Sequence, residues 1–435
     1  MRRTLPIPLV LIATVALLGG FILRARAGSG GRSIPHLQYS HPLASIPLER
    51  QIDFLEHRIE QRPGSAFDLA GLAALYVEQG RRSGNSAWWD KARDAAEKSL
   101  RILPAPNNGA KNALAQIALA NHEFEPAIVI ADEIITSGGV DALSIRVTAE
   151  LALGRLDAAA RDAETLVDRK PTLSHLTARA LVYEAQGRDE EAVRDLADGL
   201  SLEDLGELQA ASFARTILGR TALRHGRLEE AGAWLRESLR LVPGNPLAEG
   251  LLAEVDMKSG RDVEAENRFQ SALLSSGDPS WLVREGRFHQ LLGETDAATR
   301  AWAQAEGLLR LQLQEGKTGH RADLARLLLW RNRAGDAAQA LDLMNAEIQV
   351  RGGAEIRAVL AWAQGANGRW EEARHTIREV LSTGARNAEF YLQAGEIEAA
   401  LGRPARAVFY FETALRTDPS SDEARKALDS MRPRG

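Results

Sequence analysis

The chain has 435 residues, a net charge of −5 and a hydrophobic fraction of 45%, so it holds ample material for a large core and is no disordered polymer. Aromatics make up only 5%, and the strong helix formers Ala, Leu, Arg and Glu dominate. Acidic and basic residues are interleaved with no Lys/Arg stripe, which excludes a nucleic-acid footprint, and the absence of cysteine excludes disulfides, thiolate metal sites, a catalytic thiol and a lipid-modified cysteine.

The N-terminus reads as an export element. Arg2 and Arg3 precede an uncharged run from Leu5 to Leu23, nineteen residues against the roughly 20 that span a bilayer. Pro6 and Pro8 weaken its first turn, and Ala25-Arg26-Ala27 has the small-x-small form of a signal-peptidase site. Residues 1–27 are therefore expected to be a signal peptide or a membrane anchor. Membrane contact would run through residues 5–23 if the segment is kept. Either outcome places the remainder outside the cytoplasm, in the periplasm or anchored to the cytoplasmic membrane and facing it. Residues 28–47, rich in Gly, Ser, Pro and His, read as a flexible tether.

A helix is expected from Leu48 to about Gln61. Leu48, Ile52, Leu55 and Ile59 share one face, and Pro63-Gly64 stops it. Internal repeats follow. A glycine precedes an alanine by five residues at Gly154/Ala159, Gly187/Ala192, Gly226/Ala231, Gly260/Ala265, Gly293/Ala298, Gly335/Ala340, Gly368/Ala373 and Gly402/Ala407. Upstream, His122 takes the glycine slot before Ala127, and Gly80 pairs with Ala92 across an insertion. From Ala92 onward the alanines are 35, 32, 33, 39, 34, 33, 42, 33 and 34 residues apart, which makes ten units.

Each unit reads as two helices joined at the glycine, where a left-handed cap costs least. Acidic pairs such as Glu229/Glu230 and Glu371/Glu372 open the second helix and complement its dipole. A large residue stands four past the alanine (Leu196, Leu235, Phe269, Trp302, Ile377, Phe411), and a small one stands seven before the glycine (Ala73, Ala115, Ala180, Gly219, Ala253, Gly286, Ala361, Gly395). The small residue lets the two helices approach, since a bulky one there would overpack by about 1–3 kcal/mol.

The pattern resembles the tetratricopeptide repeat, with Leu282-Gly286-His289-Gly293-Ala298-Trp302-Ala305 and Tyr391-Gly395-Gly402-Ala407-Phe411-Ala414-Pro419 as the best copies. The resemblance implies an all-α, right-handed α-α superhelical solenoid of about ten helix pairs over residues 63–419. Residues 48–62 would form a capping half-repeat, and residues 420–435 a capping helix opened by a Ser420/Glu423 capping box. Leu328 stands where a small residue is expected, and long spacings at 202–208 and 308–320 imply lengthened helices or loops.

No H-E-x-x-H, Walker, G-x-S-x-G or dinucleotide motif occurs, and the nine histidines are scattered, so no enzyme, cofactor or metal site is expected. His36 and His41 in the tether could at most take up a metal adventitiously. Function should then lie on the first helices, on the stripe facing away from the second. The resemblance implies that this stripe lines a concave groove, which by register holds Phe67, Asn112, Gln116, Ser144, Thr148, Arg220, Glu254, Arg287, Gln290, Asn332, Trp362 and Glu396. Trp362 is either a partner anchor or packed on a neighbouring helix, and Arg220 with Arg287 could grip a carboxylate. The expected function is a non-enzymatic scaffold for protein or peptide partners of the cell envelope. The alternative is a receptor-like module that wraps a secreted peptide or small ligand inside the superhelix.

Overall fold

The computed structural model describes residues 47–83, 86–204 and 207–431, and among these there is no strand. The export segment 1–27 and the tether up to residue 46 lie outside the described residues. Within them no helix is long and apolar enough to cross a membrane.

Helix α1 (Leu48–Gln61) is followed by ten helix pairs. The first five are α2 (Ala66–Ser83) with α3 (Ser86–Ile102), α4 (Asn108–Ala120) with α5 (Phe124–Thr136), α6 (Leu143–Leu153) with α7 (Leu156–Arg169), α8 (Leu173–Ala185) with α9 (Asp189–Ser201), and α10 (Leu208–Arg224) with α11 (Leu228–Leu241). The second five are α12 (Pro246–Lys258) with α13 (Asp262–Ser276), α14 (Ser280–Leu291) with α15 (Thr295–Gln314), α16 (Arg321–Arg331) with α17 (Asp336–Glu347), α18 (Ala354–Ala366) with α19 (Trp370–Ser382), and α20 (Ala388–Ala400) with α21 (Pro404–Thr417). Helix α22 (Asp422–Ser430) ends the array. Each helix packs on its pair mate and on the next pair, which makes a superhelical solenoid.

The small positions do what their size demands. A Cβ on Gly219, Gly286 or Gly395 would lie 2.6 Å from Leu235, 2.3 Å from Trp302 and 2.3 Å from Phe411 respectively. Those three are the large residues four past the alanine, so each second helix drives its bulkiest side chain against the bare backbone of the first. The Trp302 indole N–H is not lost in this contact, because it donates to the Val283 carbonyl at 3.1 Å. Ala231, Ala265, Ala373 and Ala407 are fully buried. At the turns, His122 adopts φ 62°, the left-handed conformation shared by Gly154, Gly187, Gly226, Gly260, Gly293, Gly368 and Gly402, whereas Gly80, expected to end the first helix of its unit, lies within α2 with the Trp89 ring against it.

Two expectations further along the chain need correction, one at Gly335 and one at Ser420. Helix α16 stops at Arg331, capped by Asn332 at φ 51°, three residues before Gly335. Gly335 instead leads into α17, because the Asp336 carboxylate takes both the Arg331 guanidinium and the Arg333 N–H. The cap of α22 is Ser421, whose hydroxyl accepts from Ala424 N–H, while Ser420 turns to Asp418. The extra residues near 308 extend α15 to 20 residues. Leu328 is simply buried among Leu324, Leu327 and Met344.

The solenoid also touches itself. The amides of Gly352 and Gly353 donate to the Ala152 carbonyl at 3.0 and 3.3 Å. Gly187 lies against Gly384, Gly226 against Asp418 and Pro419, and His122 against Gly319. Lys258 donates to Asp418 at 3.0 Å and to Ser420 at 3.2 Å. Along the chain, α2 meets α13. The loop contacts join residues about 200 apart, which is about six repeats of ~34 residues. A second superhelical turn thus seats on the first, one edge of turns against the opposite edge of inter-repeat loops.

Candidate functional site: a charged interior

First helices of five successive pairs point charges at one place. Arg284 on α14 donates to Glu254 on α12. Its guanidinium is raised chiefly by Glu254, against lost hydration, with Asp323, Glu389 and Glu355 adding to it. Those carboxylates come from α16, α20 and α18, so five helices face a common centre. Arg224 on α10 reaches Glu355 on α18 at 3.1 Å, 131 residues along the chain. Arg287 donates to Glu423 on α22, 136 residues away.

Removal of water works to raise Glu355, but Arg224, Arg220, Arg326 and Arg284 outweigh it and hold the carboxyl below its ordinary value. Glu396 is met by the opposite field. Its side chain reaches water. Restricted hydration, then Glu423 and Glu389, push its pKa up to about 7, with only Arg287 opposing. The interior is therefore mixed in sign, with Arg220, Arg224, Arg284, Arg287 and Arg326 against a similar number of carboxylates.

A family profile described as tetratricopeptide repeat matches residues 146–202, 208–246 and 359–422. Those stretches match tetratricopeptide repeats. The matched stretches take in most of α6–α11 and of α18–α21, the two arcs that seat on each other. The unmatched stretch between them holds the early stop at Asn332 and the lengthened α15. No curated protein matches the sequence. Among solved structures, a tetratricopeptide repeat protein from Parabacteroides merdae is similar at 19% identity, covering 60% of this chain and 98% of its own, with a TM-score of 0.36. Yeast Tom70 is similar at 13% identity over 88% and 91% of the two chains, with a TM-score of 0.35. Human IFIT1, in a dimer with PPP-AAAA, is similar at 13% over 85% and 86%, with a TM-score of 0.47.

Of the residues expected on the groove stripe, the interior cluster includes Arg220, Glu254, Arg287 and Glu396. Arg220 is committed to the buried Glu184 carboxylate, so it braces the repeat below it as much as it faces the interior. Gln290 accepts from Arg287 at 2.5 Å and donates to the Trp330 carbonyl at 3.0 Å. Trp362 packs edge-on against Trp330 at 5.8 Å, the packed of its two readings. Asn332 caps its helix. Upstream, Phe67 is 76% exposed, Asn112 is exposed, and Gln116 accepts from Arg81. The hydroxyls of Ser144 and Thr148 return to carbonyls of their own segment, Asp141 and Ser144.

Sequence reasoning missed Arg224, Arg284, Asp323, Arg326, Glu355, Glu389 and Glu423. A signal existed for some of them. Arg224 and Arg284 stand four and three residues from Arg220 and Arg287, one helical turn along the same face. Glu423 carried none, because only the second turn of the superhelix brings α22 opposite α14.

Proposed function

We propose that the chain is a non-enzymatic scaffold that holds an extended segment of a protein partner inside the superhelix. The convergence of charges from α10 through α22 on one interior carries this reading. Tetratricopeptide repeats serve as protein-binding modules, and a lining that alternates in sign suits a polypeptide carrying both charges better than a polyphosphate. Location on the outer side of the cytoplasmic membrane, with envelope partners, rests on residues 2–27 of the sequence. The charges that meet from both superhelical turns, Arg224 with Glu355 and Arg287 with Glu423, also favour a second reading, a receptor-like module wrapping a short secreted peptide or small ligand.

A photo-crosslinking residue placed at Arg284 in living cells tests the site, with one at Leu274, which is 85% exposed on α13, as the comparison. A discrete adduct from position 284 and none from 274 supports interior binding. An adduct from 274 alone moves binding to the outer surface and sinks the proposal. A protein-sized adduct favours the scaffold, whereas one of peptide size favours the receptor.

A further inference from the structure

Buried carboxylates in this protein are almost always answered by a permanent cation. Eleven lie buried among the described residues: Asp68, Glu150, Asp162, Glu184, Asp195, Asp256, Glu285, Asp336, Glu347, Glu398 and Asp418. Ten have an arginine or lysine nitrogen within 4.0 Å. The exception is Glu285 on α14, whose ion-pair partner is a histidine, His289, at 3.9 Å. Both residues are 7% exposed.

A further carboxylate faces the same spot. Glu266 on α13 brings an oxygen to within 4.8 Å of the Glu285 carboxylate and a His289 ring nitrogen, with all three donor atoms mutually within that distance. Nearby arginines are engaged elsewhere: Arg268 by Glu249 and Asp256, Arg284 by Glu254, Arg287 by Gln290 and Glu423. The buried Glu285 and the less buried Glu266 thus converge without an arginine or lysine, and beside a hydrogen bond from Gln270 to Glu285 the one cationic answer is a histidine, which is charged only when protonated.

The fourth side chain gives the cluster its direction. Glu294, in the turn after α14, holds His289 Nδ1 at 2.7 Å. A carboxylate accepting from Nδ1–H fixes the tautomer that leaves the Nε2 lone pair free, and Nε2 is the nitrogen turned to Glu285. An oriented imidazole with two carboxylates is a nitrogen/oxygen donor set for a borderline divalent metal.

We propose that Glu266, Glu285 and His289 bind one Zn2+ ion, with Glu294 as the positioning carboxylate behind the histidine. The ion would draw its donors to about 3.3 Å apart, the edge of a tetrahedron with bonds near 2.0–2.1 Å. That is a small closure for two residues already one helical turn apart and a third on the adjacent helix. Water would take the open position. The site bridges α13 and α14, the second helix of one repeat and the first of the next, so the bound ion would clip neighbouring repeats together. It departs from the expectation of a metal-free chain because its ligands come from two repeats and match no contiguous motif.

The test is calorimetric titration of the full-length, chelator-treated protein with ZnCl2, with Co2+ absorption as a coordination readout. The expected result is one Zn2+ per chain and a tetrahedral-type Co2+ spectrum. Glu285→Gln and His289→Gln should each abolish both signals. Glu294→Gln should weaken binding by about 10–100-fold. Each variant must keep the helical signal of the parent before addition of metal. His36→Gln with His41→Gln should leave the stoichiometry intact. Absence of stoichiometric Zn2+ binding, its survival in Glu285→Gln and His289→Gln, or its loss on changing only the tether histidines would overturn the proposal.

Discussion

Replacing Gly187 with alanine, alongside the same change at Gly260, isolates the contact between superhelical turns. Both glycines sit at φ +70°, in equivalent turns between the helices of a pair. A Cβ on Gly260 meets nothing within 4 Å, so Gly260→Ala bears only the left-handed penalty of about 1–2 kcal/mol. A Cβ on Gly187 would lie 1.8 Å from the Gly384 carbonyl oxygen and 2.6 Å from its carbon. Ordinary contact begins near 3.4 Å, so the two loops must part by about 1.6 Å. Both sides are backbone, and neither can rotate away. Overpacking of this kind adds about 1–3 kcal/mol, which brings Gly187→Ala to about 2–5 kcal/mol in all. Urea denaturation followed by circular dichroism measures both variants, and small-angle scattering without urea reports any opening of the turns. Costs that differ by less than about 0.5 kcal/mol would refute the seam.

Two further outcomes follow from individual charged groups. Glu396→Gln should stabilise the protein above pH 7 and do little below pH 4.5, read from thermal melts across that range. The sign follows from a folded pKa raised to about 7: the folded state holds the extra proton, so the wild type loses stability as pH rises from the unfolded value toward 7, and glutamine removes that loss. A pH-independent difference between variant and wild type would contradict it. Glu203→Ala should cost about 3–5 kcal/mol in urea, because it strands the Arg215 guanidinium, 1% exposed and bound to Glu203 at 2.7 Å. A loss under about 1 kcal/mol, the range of a surface pair, would show that the arginine finds water or another partner.

The repeat was legible because its signals are local and steric. Gly219, Gly286 and Gly395 declare themselves by absence of a side chain at a fixed distance from Leu235, Trp302 and Phe411, so spacing alone locates the helix contacts. His122 was placed in a left-handed turn by register, against its own preference, and it adopts that conformation. Asn332 shows where register fails. The Arg331–Asp336 pair ends the helix early, and no count of residues reveals that a side-chain ion pair competes with the cap. Much of the candidate site lay beyond sequence reasoning for a different reason. Arg287 and Glu423 become neighbours through superhelical pitch, which accumulates from small rotations at every repeat and is written at no single position. Glu285 was invisible likewise, since the lack of a basic partner is a property of its surroundings.

A simple solenoid behaves as a one-dimensional array, each repeat coupled only to the one before and the one after, with fraying free to run inward from either end. Bonds such as Gly352 N–H to the Ala152 carbonyl add a second neighbour relation, about two hundred residues away. The array then acquires the connectivity of a sheet rolled into a coil. A central repeat opens only if it also releases its counterpart in the other turn. Removal of the last two repeats would loosen the fourth and fifth, whose turns at Gly187 and Gly226 seat on Gly384 and Asp418 and which share no sequence neighbour with them. The contacts are also long-range in the sense that slows folding, so the first turn must persist until the second arrives to cover its edge.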